Sequence, residues 1–244
     1  MKKDIVLVTG ASGGIGRAIA LAFAQRSCQV ALHYHLHPEP ARKTEKEILA
    51  EGGRAACFPA DLTKEEEVDG LFRQVEAELG SVSVLVNNAG IAWQGLVTDM
   101  SLEEWRRVLD TNLTSVFLCC RRALPGMIRE KRGTIVNISS MWGQQGASCE
   151  AAYSAAKAGV IGLTQALAME EGPSGIRVNC IAPGVIDTPM NGHLSGEDLA
   201  ALEGETPLQR LGKPEEVAQA AVFLAENRFI TGQTLGVNGG FLLG

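Results

Sequence analysis

The sequence predicts an α/β fold: a doubly wound parallel sheet of about seven strands with helices on both faces. Three observations carry this. The apolar runs are short and β-branched, segments with helical spacing separate them along the chain, and the first run ends in a glycine-rich turn that opens a helix. Strands alternating with helices imply crossover units, and therefore a parallel sheet covered on both sides.

In order, residues 4–10 (DIVLVTG) read as the first strand and 14–27 as the first helix. Residues 29–34 are a strand and 39–52 a charged helix; 54–62 are a third strand and 64–79 again helical. A fourth strand covers 83–90, and a long helical region follows through 102–131. Then come a strand at 133–140, a helix at 151–171 and a strand at 176–184, with the last strand at 232–240. Residues 186–212 interrupt the alternation: they are polar, punctuated by glycine and proline, with one modest helical pattern. Ligands of doubly wound sheets bind outside the carboxyl ends of strands. This stretch follows such an end and is expected to form a substrate lid.

Composition narrows the function. The chain has 244 residues, 45% hydrophobic and 20% charged, enough for one substantial core. With no linker, repeat or low-complexity tract, 1–244 is expected to be a single domain. The net charge is -6 with no long basic run, which argues against a nucleic-acid partner. The N-terminal apolar run is too short for a signal segment or a membrane span. The six cysteines form no CxxC pair and no cluster with histidine. They read as reduced thiols of a cytoplasmic protein, with no metal site.

The stretch VTGASGGIG (8–16) sits where a strand gives way to a helix. Gly10, Gly14 and Gly16 let the backbone turn tightly and approach a pyrophosphate, and the helix N-terminus adds N–H groups and a positive dipole end. In that setting the loop predicts a Rossmann-type dinucleotide site. Binders of NAD usually carry an acid at the end of the second strand. Here that place reads HYHLH (33–37), with no acid before Glu39. Without a carboxylate to repel a 2′-phosphate, NADP(H) is expected over NAD(H). His33, His35 and His37 are candidate donors, on one face if the strand alternates strictly. Arg42 and Lys43 follow, and His35 is the preferred contact.

In YSAAK (153–157) a phenol and an ammonium stand at i and i+4, on one helical face. A tyrosine packed on a lysine stem is the plain alternative. Alanines on every side suit close packing or a nearby ligand, and Ser140 ends the preceding strand. Reducing a ketone leaves negative charge on oxygen, which needs a proton donor. A nearby ammonium lowers the pKa of a phenol, and a serine hydroxyl can hold the carbonyl.

TGASGGIG, NNAG (87–90), TNL (111–113), NISS (137–140), YSAAK, IAPG (181–184) and VNGG (237–240) occur in the order and spacing of the short-chain dehydrogenase/reductases, which the chain resembles over its whole length. The resemblance implies that Tyr153 is the general acid. It implies that Lys157 lowers its pKa and holds the nicotinamide ribose, that Ser140 orients the carbonyl, and that Asn112 links the lysine to a water chain. For the cofactor it implies Gly10, Ser12, Gly14, Ile15 and Gly16 at the phosphates and Asp61 and Leu62 at the adenine. Asn88, Ala89 and Gly90 line the groove, and Pro183, Gly184, Val185 and Thr188 lie at the nicotinamide. A homotetramer packed through 102–131, 151–171 and the last strand is also implied.

Within the family the chain resembles the NADPH-dependent 3-oxoacyl-ACP reductases of fatty acid synthesis. That branch typically has a basic residue before the sixth strand, where acidic carrier protein docks; Ser174 stands there, while Lys131 keeps the other basic position. Trp142, Cys149 and Glu150 lie between the serine and the tyrosine, where the loop faces substrate. This pattern is similar to reductases of a 5-aminopentanone modification on elongation factor P. A glutamate there suits an amine-bearing ketone, although it could simply cap the helix. A non-catalytic dinucleotide sensor is the reading from another class; loss of Ser140, Tyr153 or Lys157 would signal it, and all three are present.

Overall fold

The computed structural model describes residues 4–192 and 195–243. Its strands are Ile5–Val8 (β1), Gln29–Tyr34 (β2), Arg54–Pro59 (β3), Val84–Asn87 (β4), Gly133–Ile138 (β5), Ile176–Pro183 (β6) and Thr234–Val237 (β7). They form one parallel seven-stranded sheet in the order β3-β2-β1-β4-β5-β6-β7. The order reverses between β1 and β4, and that crevice is where a doubly wound sheet takes its ligand.

Helices Gly14–Gln25 (α1), Pro38–Ala50 (α2), Glu65–Glu78 (α3), Leu102–Leu109 (α4), Ser115–Glu130 (α5), Met141–Gln144 (α6), Ala151–Glu171 (α7), Gly196–Glu205 (α8) and Pro214–Glu226 (α9) surround it. Successive side chains of a strand point to opposite faces, and both faces are covered. In β1, Ile5 and Leu7 join the core under α3, α5 and α7. Val6 and Val8 join the core under α1, α2 and α9. This is why β1 reads as an unbroken apolar run. Truncating a residue buried this deeply, Leu7→Ala for example, costs about 2–5 kcal/mol.

Two differences from the sequence expectation have local causes. The helical region 102–131 is split by a π-helical turn, Asp110–Thr114. Nδ2 of Asn112 donates to the carbonyls of Val108 (2.9 Å) and Ile91 (3.0 Å), competing with the regular backbone ladder. And α9, not singled out by its spacing, forms with Pro214 in its first turn and the Lys213 N–H bonded to Glu216 at 2.7 Å.

The excursion at 186–212 is closed at its base. Asp187 N–H donates to the Gly212 carbonyl (2.8 Å), and Gly212 N–H to the Val185 carbonyl (2.9 Å). Within it lie a 3-10 turn, Pro189–Asn191, and α8, capped by Ser195 and Asp198. Positions 193 and 194 of the expected lid fall outside the described residues. Among the described residues, no helix is long and apolar enough to cross a membrane.

Candidate active site

The glycine loop leaves β1 and enters α1 at the crevice. Gly10 and Gly14 take positive φ, +63° and +52°. A Cβ on Gly16 would lie 2.2 Å from the Gly10 carbonyl oxygen, so only glycine fits there. No side chain caps α1 and its first turn carries no acid. Its first N–H groups have no intrahelical partner and would meet an anion with a favourable dipole. Thr188 packs its methyl 3.2 Å from where a Gly14 Cβ would stand, closing the loop from the other side. These features fit a dinucleotide.

A groove of about 940 Å³ runs from this loop past His35, Asn88, Ala89 and Gly90. The side chain of Asn88 is a brace: Nδ2 donates to the carbonyls of Thr9 (3.0 Å) and Gly10 (3.1 Å). Asp61 accepts from the N–H and hydroxyl of Thr63, at 3.0 and 2.7 Å. Burial pushes its carboxyl upward, but the Thr63 and Lys64 hydrogen bonds outweigh that and hold it below the ordinary range. The Leu62 side chain is buried in the core under α3.

The three histidines do not share a face. β2 ends at Tyr34, so alternation stops there; His35 and His37 are exposed, whereas His33 is 2% exposed. His33 is therefore not a surface donor.

At the carboxyl ends of β4, β5 and β6 the groove opens into a cavity of about 450 Å³. Its lining includes Ser140, Trp142, Glu150, Tyr153, Lys157 and Met190. Ser140, two residues past β5, accepts the Trp142 N–H at 3.1 Å and caps α6. A Cβ on Gly143 would lie 2.7 Å from the Lys157 carbonyl carbon, and Ser139 donates its hydroxyl to the Lys157 carbonyl at 2.8 Å. This close seam fixes α7 against the end of β5, and with it the phenol and ammonium.

Lys157 is buried, with Nζ donating to the Ile138 carbonyl at 2.9 Å and 5.6 Å from the Tyr153 ring centroid. Burial lowers its pKa to about 8. Burial raises the half-buried Tyr153 phenol to about 12, opposed by its hydrogen bond with Ser140 and aided by the Glu150 carboxylate. In this arrangement burial dominates the phenol, and the ammonium is engaged with the Ile138 carbonyl. The phenol is consequently a protonated donor at neutral pH. Asn112 is fully buried; Oδ1 accepts the Ile91 N–H at 3.1 Å. Asn112 Oδ1 and Lys157 Nζ both lie against Gly90, 2.5 and 3.5 Å from where its Cβ would be.

The family description enoyl-(acyl carrier protein) reductase matches residues 10–242. The chain belongs to the short-chain dehydrogenase/reductase family. It is 43% identical over 243 residues to the 3-oxoacyl-[acyl-carrier-protein] reductase of Synechocystis, covering 98% of this chain and 97% of that one. It is 43% identical over 239 residues to the Staphylococcus aureus protein of that name, covering 97% of each. The Vibrio cholerae counterpart is 40% identical over 245 residues, covering 100% of this chain and 99% of its own. A solved structure assigned as a gluconate dehydrogenase from Agrobacterium tumefaciens superposes with a TM-score of 0.94 at 36% identity, covering 98% of this chain and 97% of its own. The protein is an oxidoreductase acting on CH-OH and C=O groups, with a nicotinamide dinucleotide as its cofactor.

The loop before α7 and the two positions ahead of β5 and β6 fall as follows. Glu150 stands at the N-cap of α7, but its side chain makes no capping hydrogen bond and lines the cavity instead. Cys149 does not line it; its role is backbone, at φ +62°, with its carbonyl accepting the Gly95 N–H at 2.8 Å. Lys131 and Ser174 lie at the amino ends of β5 and β6, opposite the cavity. The Lys131 carbonyl is 2.9 Å from where a Gly175 Cβ would be. Sequence reasoning passed over Ser139, Gly143 and the α8 residues Asp198 and Leu202, which also line the cavity or its seam. No motif marks the α8 pair; their place depends on how the excursion folds back.

Proposed function

We propose that the protein reduces a 3-oxoacyl group on acyl carrier protein to the 3-hydroxyacyl product, using NADPH. The observation that carries this reading is the cavity whose wall brings Ser140, Tyr153 and Lys157 together, continuous with a dinucleotide groove. When bound, the nicotinamide supplies hydride to the carbonyl carbon. Ser140 and Tyr153 hold the carbonyl oxygen, and Tyr153 gives it the phenolic proton. Lys157 turns from Ile138 toward the cofactor ribose and the phenolate it stabilises. Asn112 keeps the 90–91 turn open beside the ammonium, where a water chain returns the proton. The excursion at 186–212 closes over the cavity as a lid on a single-domain chain, with Asp198 and Leu202 already facing in.

For the cofactor, the end of β2 offers exposed His35 on the groove and no carboxylate, which favours NADPH over NADH. The assembly proposed is a homotetramer through α4, α5, α7 and β7. All six cysteines are free, which suits the reducing cytoplasm.

One observation favours a second substrate. Glu150 and Trp142 in the cavity wall offer a carboxylate and an aromatic face to a cation, as on a 5-aminopentanone carried by elongation factor P. NADPH oxidation is to be measured side by side with acetoacetyl-ACP and with the modified elongation factor P, each with NADH as control. The first reading expects faster turnover of acetoacetyl-ACP; the opposite ranking establishes the second. A lower Kd for NADH than for NADPH contradicts the cofactor assignment.

A further inference from the structure

Gly10 is gripped from both sides of β1 by side chains. Its carbonyl accepts Nδ2 of Asn88, just past β4, at 3.1 Å. Its N–H donates to Nδ1 of His33, on β2, at 3.1 Å. The next amide, Ala11, donates its N–H to the His33 carbonyl at 2.9 Å. His33 therefore holds two consecutive amides of the glycine loop. Its other ring nitrogen, Nε2, lies 3.0 Å from the carbonyl of Ala60, just past β3.

These partners fix the proton. Nδ1 faces an N–H and must carry a lone pair; Nε2 faces a carbonyl and must carry hydrogen. Only the neutral Nε2–H tautomer satisfies both. An imidazolium would set one N–H against another at Gly10. Burial pushes the ring's pKa down to about 4, opposed by the Ala60 hydrogen bond and the Asp61 carboxylate and aided by His35, so the ring is neutral at pH 7.

The loop has little room to move. A Cβ on Gly10 would come within 2.9 Å of the Ala89 Cα, so β4 bounds it closely on that side. On the other side its position is set by the His33 ring. With the Gly10 and Ala11 amides taken up by His33, an anion is left to the first turn of α1.

We propose that His33 is a positioning residue for dinucleotide binding: as the neutral Nε2–H tautomer bridging Gly10 and Ala60, it sets where the loop at 10–16 presents its amides. It acts through the loop and touches no reacting atom. The inference rests on the groove being a dinucleotide site.

The test uses the full chain, with NADPH as probe, and two variants. His33→Leu keeps comparable bulk and removes both hydrogen bonds; His33→Asn retains one acceptor and one donor. The Kd for NADPH is expected to rise roughly tenfold in His33→Leu, with His33→Asn between it and the parent. The kcat at saturating NADPH stays within about threefold, since only uniform binding is lost. Nitrogen-15 NMR of the parent at pH 7 should show His33 with a pyridine-type Nδ1 and a pyrrole-type Nε2. Parent-like affinity in a folded His33→Leu overturns the proposal, as does an Nδ1–H tautomer or an imidazolium. If His33→Leu does not fold, the NMR assignment and the His33→Asn affinity decide. A parent that binds neither NADPH nor NADH overturns the dinucleotide reading and this proposal with it, whereas equal binding by parent and variants overturns this proposal alone.

Discussion

The two halves of the groove are built in opposite ways. The dinucleotide half is backbone held by side chains: loop amides and glycines, gripped by His33 and Asn88. The substrate half is side chains held by backbone. Ser140, Trp142, Glu150, Tyr153 and Lys157 project into the cavity, while the Gly143 seam and the Cys149 carbonyl fix the segments that carry them. The difference teaches where change is tolerated. A loop that works through its amides admits no added atom at Gly16. A cavity that works through side chains can exchange Trp142 or Glu150 and so choose its ketone.

The largest expected effect separates the halves outright. Tyr153→Phe removes the proton donor and should cut kcat by about a thousandfold, while the Kd for NADPH stays near the parent value. Steady-state rates and a fluorescence titration check this. Gly16→Ala is the converse. Its Cβ would meet the Gly10 carbonyl at 2.2 Å. The Kd for NADPH should rise by at least about tenfold with kcat at saturation largely kept; a loss confined to kcat would erase the division.

The substrate half should also show a pH signature. Lys157 has its pKa lowered to about 8 by burial, so above that pH the free protein loses the ammonium that stabilises the phenolate. The kcat/KM for ketone reduction is expected to fall about tenfold per pH unit on that side, because this ratio reports groups of the free enzyme. A profile flat from pH 7 to 9.5 would contradict the role given to Lys157. A smaller effect concerns Glu150→Gln. Turnover of acetoacetyl-ACP should change by less than about threefold, in keeping with a partly solvated charge, and an amine-bearing ketone should be hit harder. The smallest is Cys149→Gly. A non-glycine residue at φ +62° is strained, and glycine removes that strain but frees the unfolded chain. The two nearly cancel, and chemical denaturation should place the variant within about 1 kcal/mol of the parent.

What the sequence revealed follows the same division. β2 at 29–34 and α7 at 151–171 were legible to the residue, because local periodicity determines them. Ser140, Tyr153 and Lys157 were legible because the chemistry demands those types at a helical spacing beside a strand end. The glycine loop was legible because each glycine answers a steric need of its own neighbourhood. The π-turn at 110–114 was not: its cause is the bonding of Asn112 to Ile91, a partner 21 residues away. His33 was read as a surface donor because alternation was carried past Tyr34, where the strand ends. Its partners, Gly10 and Ala60, lie just past the ends of two other strands. Glu150 could be a cap or a cavity wall until α7 was set against α6, and the direction of Cys149 depended on a φ that no residue type announces.

The central claim is that this cavity reduces a carrier-borne ketone with hydride from NADPH. The most direct measurement mixes the purified protein with NADPH and acetoacetyl-ACP, follows dinucleotide oxidation, and identifies the acyl product by mass. The account predicts one 3-hydroxybutyryl-ACP formed per NADPH consumed. Tight binding of NADPH with no oxidation on acetoacetyl-ACP or on an amine-bearing ketone would contradict it, and would make the protein a dinucleotide sensor on a reductase fold.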